Sequence, residues 1–116
     1  MNQWRNEDTD QFCRAVLALK TEEEVYAFLE DVCTIKEVQD MAQRLRVAGL
    51  LGAGVSYLQI SKETGASTAT ISRVSKCLEY GAGGYGVVLS RMREEQETGE
   101  DGGNEGNEGR KTEILP

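Results

Sequence analysis

The sequence predicts an all-α protein of six helices, on three observations. Hydroxyl residues followed three positions later by Glu or Gln recur along the chain, which is the spacing of a helix-opening capping box. Apolar residues then return every three or four positions. No stretch alternates with the period of two that marks a half-buried strand.

The elements follow in chain order. A first helix is expected at about residues 9–19, with Phe12, Val16 and Leu19 inward. Thr21 and Glu24 open TEEEVYAFLEDV. Thr34 and Glu37 open TIKEVQDMAQRLRVAGLL, where Val38, Met41, Ala42, Leu45 and Ala48 fall on one face. Ser56 and Gln59 open SYLQISKET, and a fifth helix follows over 67–78. The last is expected over about 84–97, with Tyr85, Val88, Leu89 and Met92 on one side. Residues 98–116, containing GEDGGNEGNEG, have little to bury and much backbone entropy to lose, so a disordered, acidic, Gly-rich tail is expected after a helical domain over 1–97.

Composition narrows the function. At 116 residues with 6% aromatics, one copy buries only a marginal core, so the narrow apolar stripes predict a homodimer. Without histidine, zinc sites and Ser-His or Cys-His nucleophile systems lack raw material, and no catalytic residue, metal or cofactor is expected. Cys13, Cys33 and Cys77 have no CxxC spacing and sit in helical apolar patterns, the pattern of buried free thiols. No membrane-spanning run or signal segment is evident, and a cytoplasmic protein is expected. GAGGYG at 81–86 matches a dinucleotide fingerprint in letters alone, because it follows a helical run instead of a strand; it reads as a helix-to-helix connector.

The net charge of −7 is unevenly distributed. Residues 1–40 hold ten acids and four bases, and 94–116 hold eight acids and two bases, a net of −6. Between them, residues 41–93 hold seven bases against two acids, a net of +5. A basic block inside an acidic chain is the footprint of a nucleic-acid surface.

That block contains ETGASTATISRV, residues 63–74. Two short amphipathic runs meeting at Gly65 predict a helix-turn-helix over about 56–78. Gly65 is suited to a positive φ, Ser61 is small where the helices approach, and Ile60, Ala66, Ile71 and Val74 are placed to pack inward. On the second helix Ile71, Val74, Ser75 and Leu78 share one face, and Ala69, Ser72, Arg73 and Lys76 point the other way. Ser67 as N-cap leaves the positive helix end beside Thr68, suited to a phosphate or a base-edge acceptor. Short side chains let such a helix approach the floor of the major groove.

The run from Thr34 through Leu78, above all QRLRVAGLL and SYLQISKETGASTATISRVSKCL, resembles the core of the bacterial Trp repressor superfamily, and within it the small uncharacterised Trp-repressor-like regulators. The resemblance implies a six-helix fold, an interlaced homodimer presenting two helix-turn-helix units to duplex DNA, and a role as a repressor. DNA-facing family positions fall on Tyr57, Leu58, Ser61, Thr68, Ala69, Thr70 and Ser72. Leu58 and Ser61 stand where the repressor has basic residues, so modest and salt-dependent affinity is expected. Of the family's tryptophan pocket, Thr34, Arg44 and Arg73 match, but Val74 replaces a glycine and Cys77 a serine. Tryptophan binding is therefore not expected, and any effector is left unidentified.

The reading is thus a dimeric, DNA-binding transcriptional regulator and not an enzyme. Its expected DNA contacts are Ser56, Tyr57, Lys62, Ser67, Thr68, Ala69, Thr70, Ser72, Arg73 and Lys76, with Thr34, Arg44 and Arg73 as candidate ligand positions. Two alternatives stay open: a helical module that binds a protein through Tyr57 and Leu58, and a sensor for a ligand smaller than tryptophan.

Overall fold

A computed structural model describes residues 3–101. Among the described residues there are six α-helices and no strand: α1 (Glu7–Ala18), α2 (Glu22–Val32), α3 (Ile35–Gly52), α4 (Tyr57–Thr64), α5 (Thr68–Tyr80) and α6 (Gly84–Asp101). No helix among them is long and apolar enough to cross a membrane. The chain forms two compact units, Met1–Gln39 and Asp40–Pro116.

In the first unit, α1 opens earlier than the spacing predicts. Asn6, not Thr9, is the cap: its side chain accepts from Thr9 N–H, and the Thr9 hydroxyl accepts from Asn6 N–H, a reciprocal pair. Thr21 caps α2, but Glu24 reaches Lys20 N–H, one residue beyond the cap. Phe12 and Phe28 stack with centroids 5.7 Å apart. Neither α1 nor α2 contains a buried residue, and Phe12 and Val16, expected inward, are each 46% exposed.

Thr34 and Glu37 complete a two-way capping box at the start of α3. The burial along α3 then departs from the expected stripe. Ala48 is buried, Val38 and Leu45 are half-buried, and Met41 and Ala42 are exposed; the sealed positions include Val47 and Leu50. At about 100° per residue these two lie on the side away from Met41, Ala42 and Leu45. The run RLRVAGLL is apolar on both sides of the helix, and the core of the second unit takes the side that periodicity did not select.

That core consists of Val47, Ala48, Leu50, Ile60, Ala66, Ile71 and Val74, with Leu51, Val55, Tyr85 and Leu89 packed against it. It holds α4 and α5 against the end of α3, and α6 through its first two turns. Met92 is half-buried and Val88 exposed, so α6 uses only part of its expected apolar side.

Helix α6 runs to Asp101, past the expected boundary at residue 97, and residues 102–116 of the expected tail lie outside the described residues. The connector from α5 to α6 is shorter than GAGGYG, since Gly84 and Gly86 are already helical. Gly81 is not free to vary: a Cβ there would run into the Cys77 carbonyl, which its own N–H contacts at 2.9 Å. All three cysteines are free thiols, but the expected burial is not found; Cys13 and Cys77 are exposed and Cys33 half-buried. Cys13 and Cys77 lie on exposed helix faces, and Cys33 is the C-cap of α2.

Candidate nucleic-acid interface

The helix-turn-helix is built as its residue types require. Ser56 caps α4, accepting from Gln59 N–H at 3.2 Å. Gly65 ends the helix at φ +77°, a left-handed conformation that costs a residue with a Cβ, and its N–H donates to Ser61 O at 2.9 Å. The Thr64 hydroxyl donates to Ile60 O at 2.8 Å and accepts from Ala66 N–H at 3.1 Å, so one side chain serves both sides of the turn. Ile60, Ala66, Ile71 and Val74, the four residues expected inward, are all sealed from solvent.

Ser61 sits half-buried and donates to Ala66 O at 3.0 Å. Its hydroxyl serves the crossing of the two helices, which the sequence anticipated, and is not turned outward as its family position implied.

At the start of α5, from Ser67 to Ser72, the hydroxyls divide into two pairs. Ser67 accepts from Thr70 N–H at 3.1 Å and donates to the Thr70 hydroxyl at 3.1 Å, so these two are engaged in the cap. Thr68 and Ser72 have no protein partner among the described residues. Thr68, Ala69, Arg73 and Lys76 are exposed and Ser72 is half-buried, while Ile71 and Val74 face the core, so the two-sided pattern is realised over the first two turns; Ser75 is half-buried and Leu78, expected on the same face, is exposed. No carboxylate pairs with Arg73 or Lys76 among the described residues. An open groove of about 510 Å³ runs along this face between Ala69, Ser72, Arg73, Lys76, Cys77 and Tyr80, ending at Gly81.

The neighbouring face of α4 presents Tyr57 and Leu58, the latter 70% exposed, with Lys62 also in solvent. Ser56, Tyr57 and Lys62 thus stand at the start and outer side of α4, and Ser67 through Lys76 on the first three turns of α5.

The candidate ligand positions are divided between the two units. Thr34 belongs to the first unit, where its hydroxyl is engaged at the start of α3. Arg44 and Arg73 belong to the second, Arg44 half-buried and Arg73 exposed. Cys77 lines the groove beside Arg73, whereas Val74 is inside the core.

Two contacts were not legible in the sequence. Gln43 Nε2 on α3 donates to Thr64 O at 3.1 Å, and Arg46 Nη1 donates to Glu63 O at 3.2 Å. Arg46 Nη2 also lies 3.9 Å from the Glu63 carboxylate, which accepts from Gln59 Nε2 at 2.9 Å. Pairs separated by 17 and 21 residues leave no local signal in sequence.

The same architecture recurs in known proteins. A Bacillus subtilis (strain 168) protein that is itself uncharacterised, YerC, is 50% identical over 92 residues, spanning 79% of this chain and 88% of the relative. A crystal structure of a TrpR-like protein from Eubacterium eligens superposes with TM-score 0.76 at 46% identity, covering 79% of this chain and 95% of that one. A Staphylococcus aureus protein assigned provisionally to the Trp repressors superposes with TM-score 0.77 at 42% identity, covering 79% and 92%. The family model described as Trp repressor protein matches residues 7–93, which take in α1 to α5, the helix-turn-helix and the first part of α6. With that family model spanning most of the chain and a relative 50% identical over 92 residues, the chain belongs to the Trp repressor family.

Proposed function

We propose that this chain is a sequence-specific, DNA-binding transcriptional regulator that acts as a homodimer, represses, and catalyses no reaction. The observation that carries the reading is the division of α5: Ile71 and Val74 are sealed while Thr68, Ala69, Arg73 and Lys76 stand free beside an exposed helix N-terminus. Such a helix enters the major groove by its first turns, where short hydroxyls and methyls meet base edges and the bases meet phosphates.

The dimer is supported by apolar surface that one copy leaves over. Phe12, Val16, Leu17 and Val25 on the first two helices and Met41 on α3 are all exposed. A second copy is the economical cover for them. In the dimer the two α5 helices stand one turn of DNA apart, the roughly 34 Å spacing of dimeric helix-turn-helix proteins, Trp repressor among them.

Lys62, Arg73 and Lys76 from each subunit supply the phosphate contacts, so the logarithm of affinity falls against the logarithm of salt with a slope of about −5. Fluorescence anisotropy on duplexes enriched by in vitro selection, titrated at several salt concentrations, tests this. If no duplex is retained, or affinity ignores salt, the reading fails. We further propose that tryptophan is not the effector, because Val74 and Cys77 place carbon and sulfur where the family's pocket has a glycine and a serine. A calorimetric titration with tryptophan showing no heat of binding is the expected result.

Leu58 favours a second reading, a protein-binding module. The double substitution Thr68→Ala and Arg73→Gln separates the two, since it removes DNA binding and leaves a partner held through Tyr57 and Leu58 in place.

A further inference from the structure

We infer that Gln43 and Arg46 of α3 are positioning residues for the reading helix: they hold the turn of the helix-turn-helix by its free carbonyls and so set how α5 is presented. A helix ends with carbonyls that have no intrahelical donor. At the end of α4 three of these, on Ser61, Glu63 and Thr64, are met, and the Thr64 hydroxyl adds a bond to Ile60 O. Thr64 Oγ1 donates to Ile60 O, Gly65 N–H to Ser61 O, Arg46 Nη1 to Glu63 O and Gln43 Nε2 to Thr64 O. The first two bonds lie within the motif; the last two come from α3 and are the polar ties between α3 and the turn.

Their placement gives them leverage on α5. Gln43 and Arg46 are three residues apart, on one side of α3. The carbonyls they hold belong to Glu63 and Thr64, the last two residues before Gly65. Gly65 is the point about which α4 and α5 turn, and a glycine by itself leaves that angle soft. Ala66 follows it, sealed in the core. With α3 gripping the carbonyls before the hinge and the core gripping the residue after it, the angle is set from both sides. A cation at the C-terminal end of α4 also sits where the helix dipole favours it.

The assignment changes the meaning of one charge. Arg46 counts in the basic block of residues 41–93, yet its guanidinium is directed to the Glu63 carbonyl and carboxylate. It acts through the turn and not on phosphate. The consequence for DNA rests on the function proposed above; the grip on the turn does not.

The test uses the full chain with Gln43→Leu, Arg46→Met and the conservative Arg46→Lys. In the free protein, hydrogen exchange of the peptide spanning residues 60–68 rises several-fold in Gln43→Leu and Arg46→Met, and Arg46→Lys restores part of the protection. On DNA, affinity for the selected duplex falls about tenfold in the first two variants, affinity for a scrambled duplex changes less than twofold, and the salt slope stays at its wild-type value. Equal loss on both duplexes with a shallower slope makes Arg46 a phosphate contact and overturns the inference. Unchanged exchange in residues 60–68 overturns it too. A wild-type chain that binds no duplex defeats the proposed function, while the exchange result still decides the grip.

Discussion

In the second unit Val47, Ile60, Ile71 and Val74 are sealed from solvent, whereas every apolar side chain on α1 and α2 in the first keeps some surface. Both stretches have apolar residues at helical spacing, and both have well-made caps. What differs is the supply of opposing surface. Helices α3, α4, α5 and α6 provide it for one another around a turn, while α1 and α2 offer each other the Phe12–Phe28 contact and little more. Periodicity marks a face that gains from burial, and it does not say which molecule buries it.

The largest effect should come from breaking the closed core. Ile71→Ala removes a fully buried side chain and is expected to cost about 4 kcal/mol in urea unfolding, the upper part of the range for such truncations. A loss below about 1 kcal/mol would mean that this core does not carry the unit.

Next in size is the opposite case. Val16→Asp alters a residue that is already half open in one chain, so it does little within the chain but places a carboxylate in the proposed subunit interface. Sedimentation equilibrium should show self-association weakened at least about 100-fold, about 2.7 kcal/mol at 1.36 kcal/mol per tenfold. Unaltered association would remove α1 from that interface.

Gly65→Ala comes third. A Cβ at φ +77° costs about 1–2 kcal/mol, to be read as a lowered melting temperature, with selective binding to DNA weakened further as the hinge relaxes. The smallest effects compare one cap from each unit. Thr34→Ala and Ser67→Ala should each cost about 1 kcal/mol of stability. Only Ser67→Ala should also weaken the proposed DNA binding, because Ser67 shapes the helix end proposed to enter the groove. If Thr34→Ala weakens it equally, Thr34 does more than cap α3.

Much of the helix-turn-helix was legible because its demands are local. Gly65, Ser67, and the inward set of Ile60, Ala66, Ile71 and Val74 are decided by turn chemistry and a 3.6-residue period within 15 residues. The side of α3 that would be buried was not legible, since RLRVAGLL, its two arginines apart, offers apolar residues on both sides of the helix. Nor was the fate of Arg46, whose partner lies 17 residues away. Cys13 and Cys77 stay exposed for the same reason as Phe12 and Val16: an apolar pattern marks a face without supplying its cover.

By itself, then, the sequence determined the six helices, the caps Thr21, Thr34, Ser56 and Ser67, the hinge at Gly65 and the side of α5 that stays free, because each depends on backbone conformation and hydrogen bonds between residues a few positions apart. Tertiary structure alone decided that α3 buries Val47 and Leu50, that Gln43 and Arg46 grip the end of α4, and that α1 and α2 remain unburied in one chain. Those outcomes are choices among surfaces of similar apolarity, settled by which partner surface arrives, and that information is distributed over the whole chain.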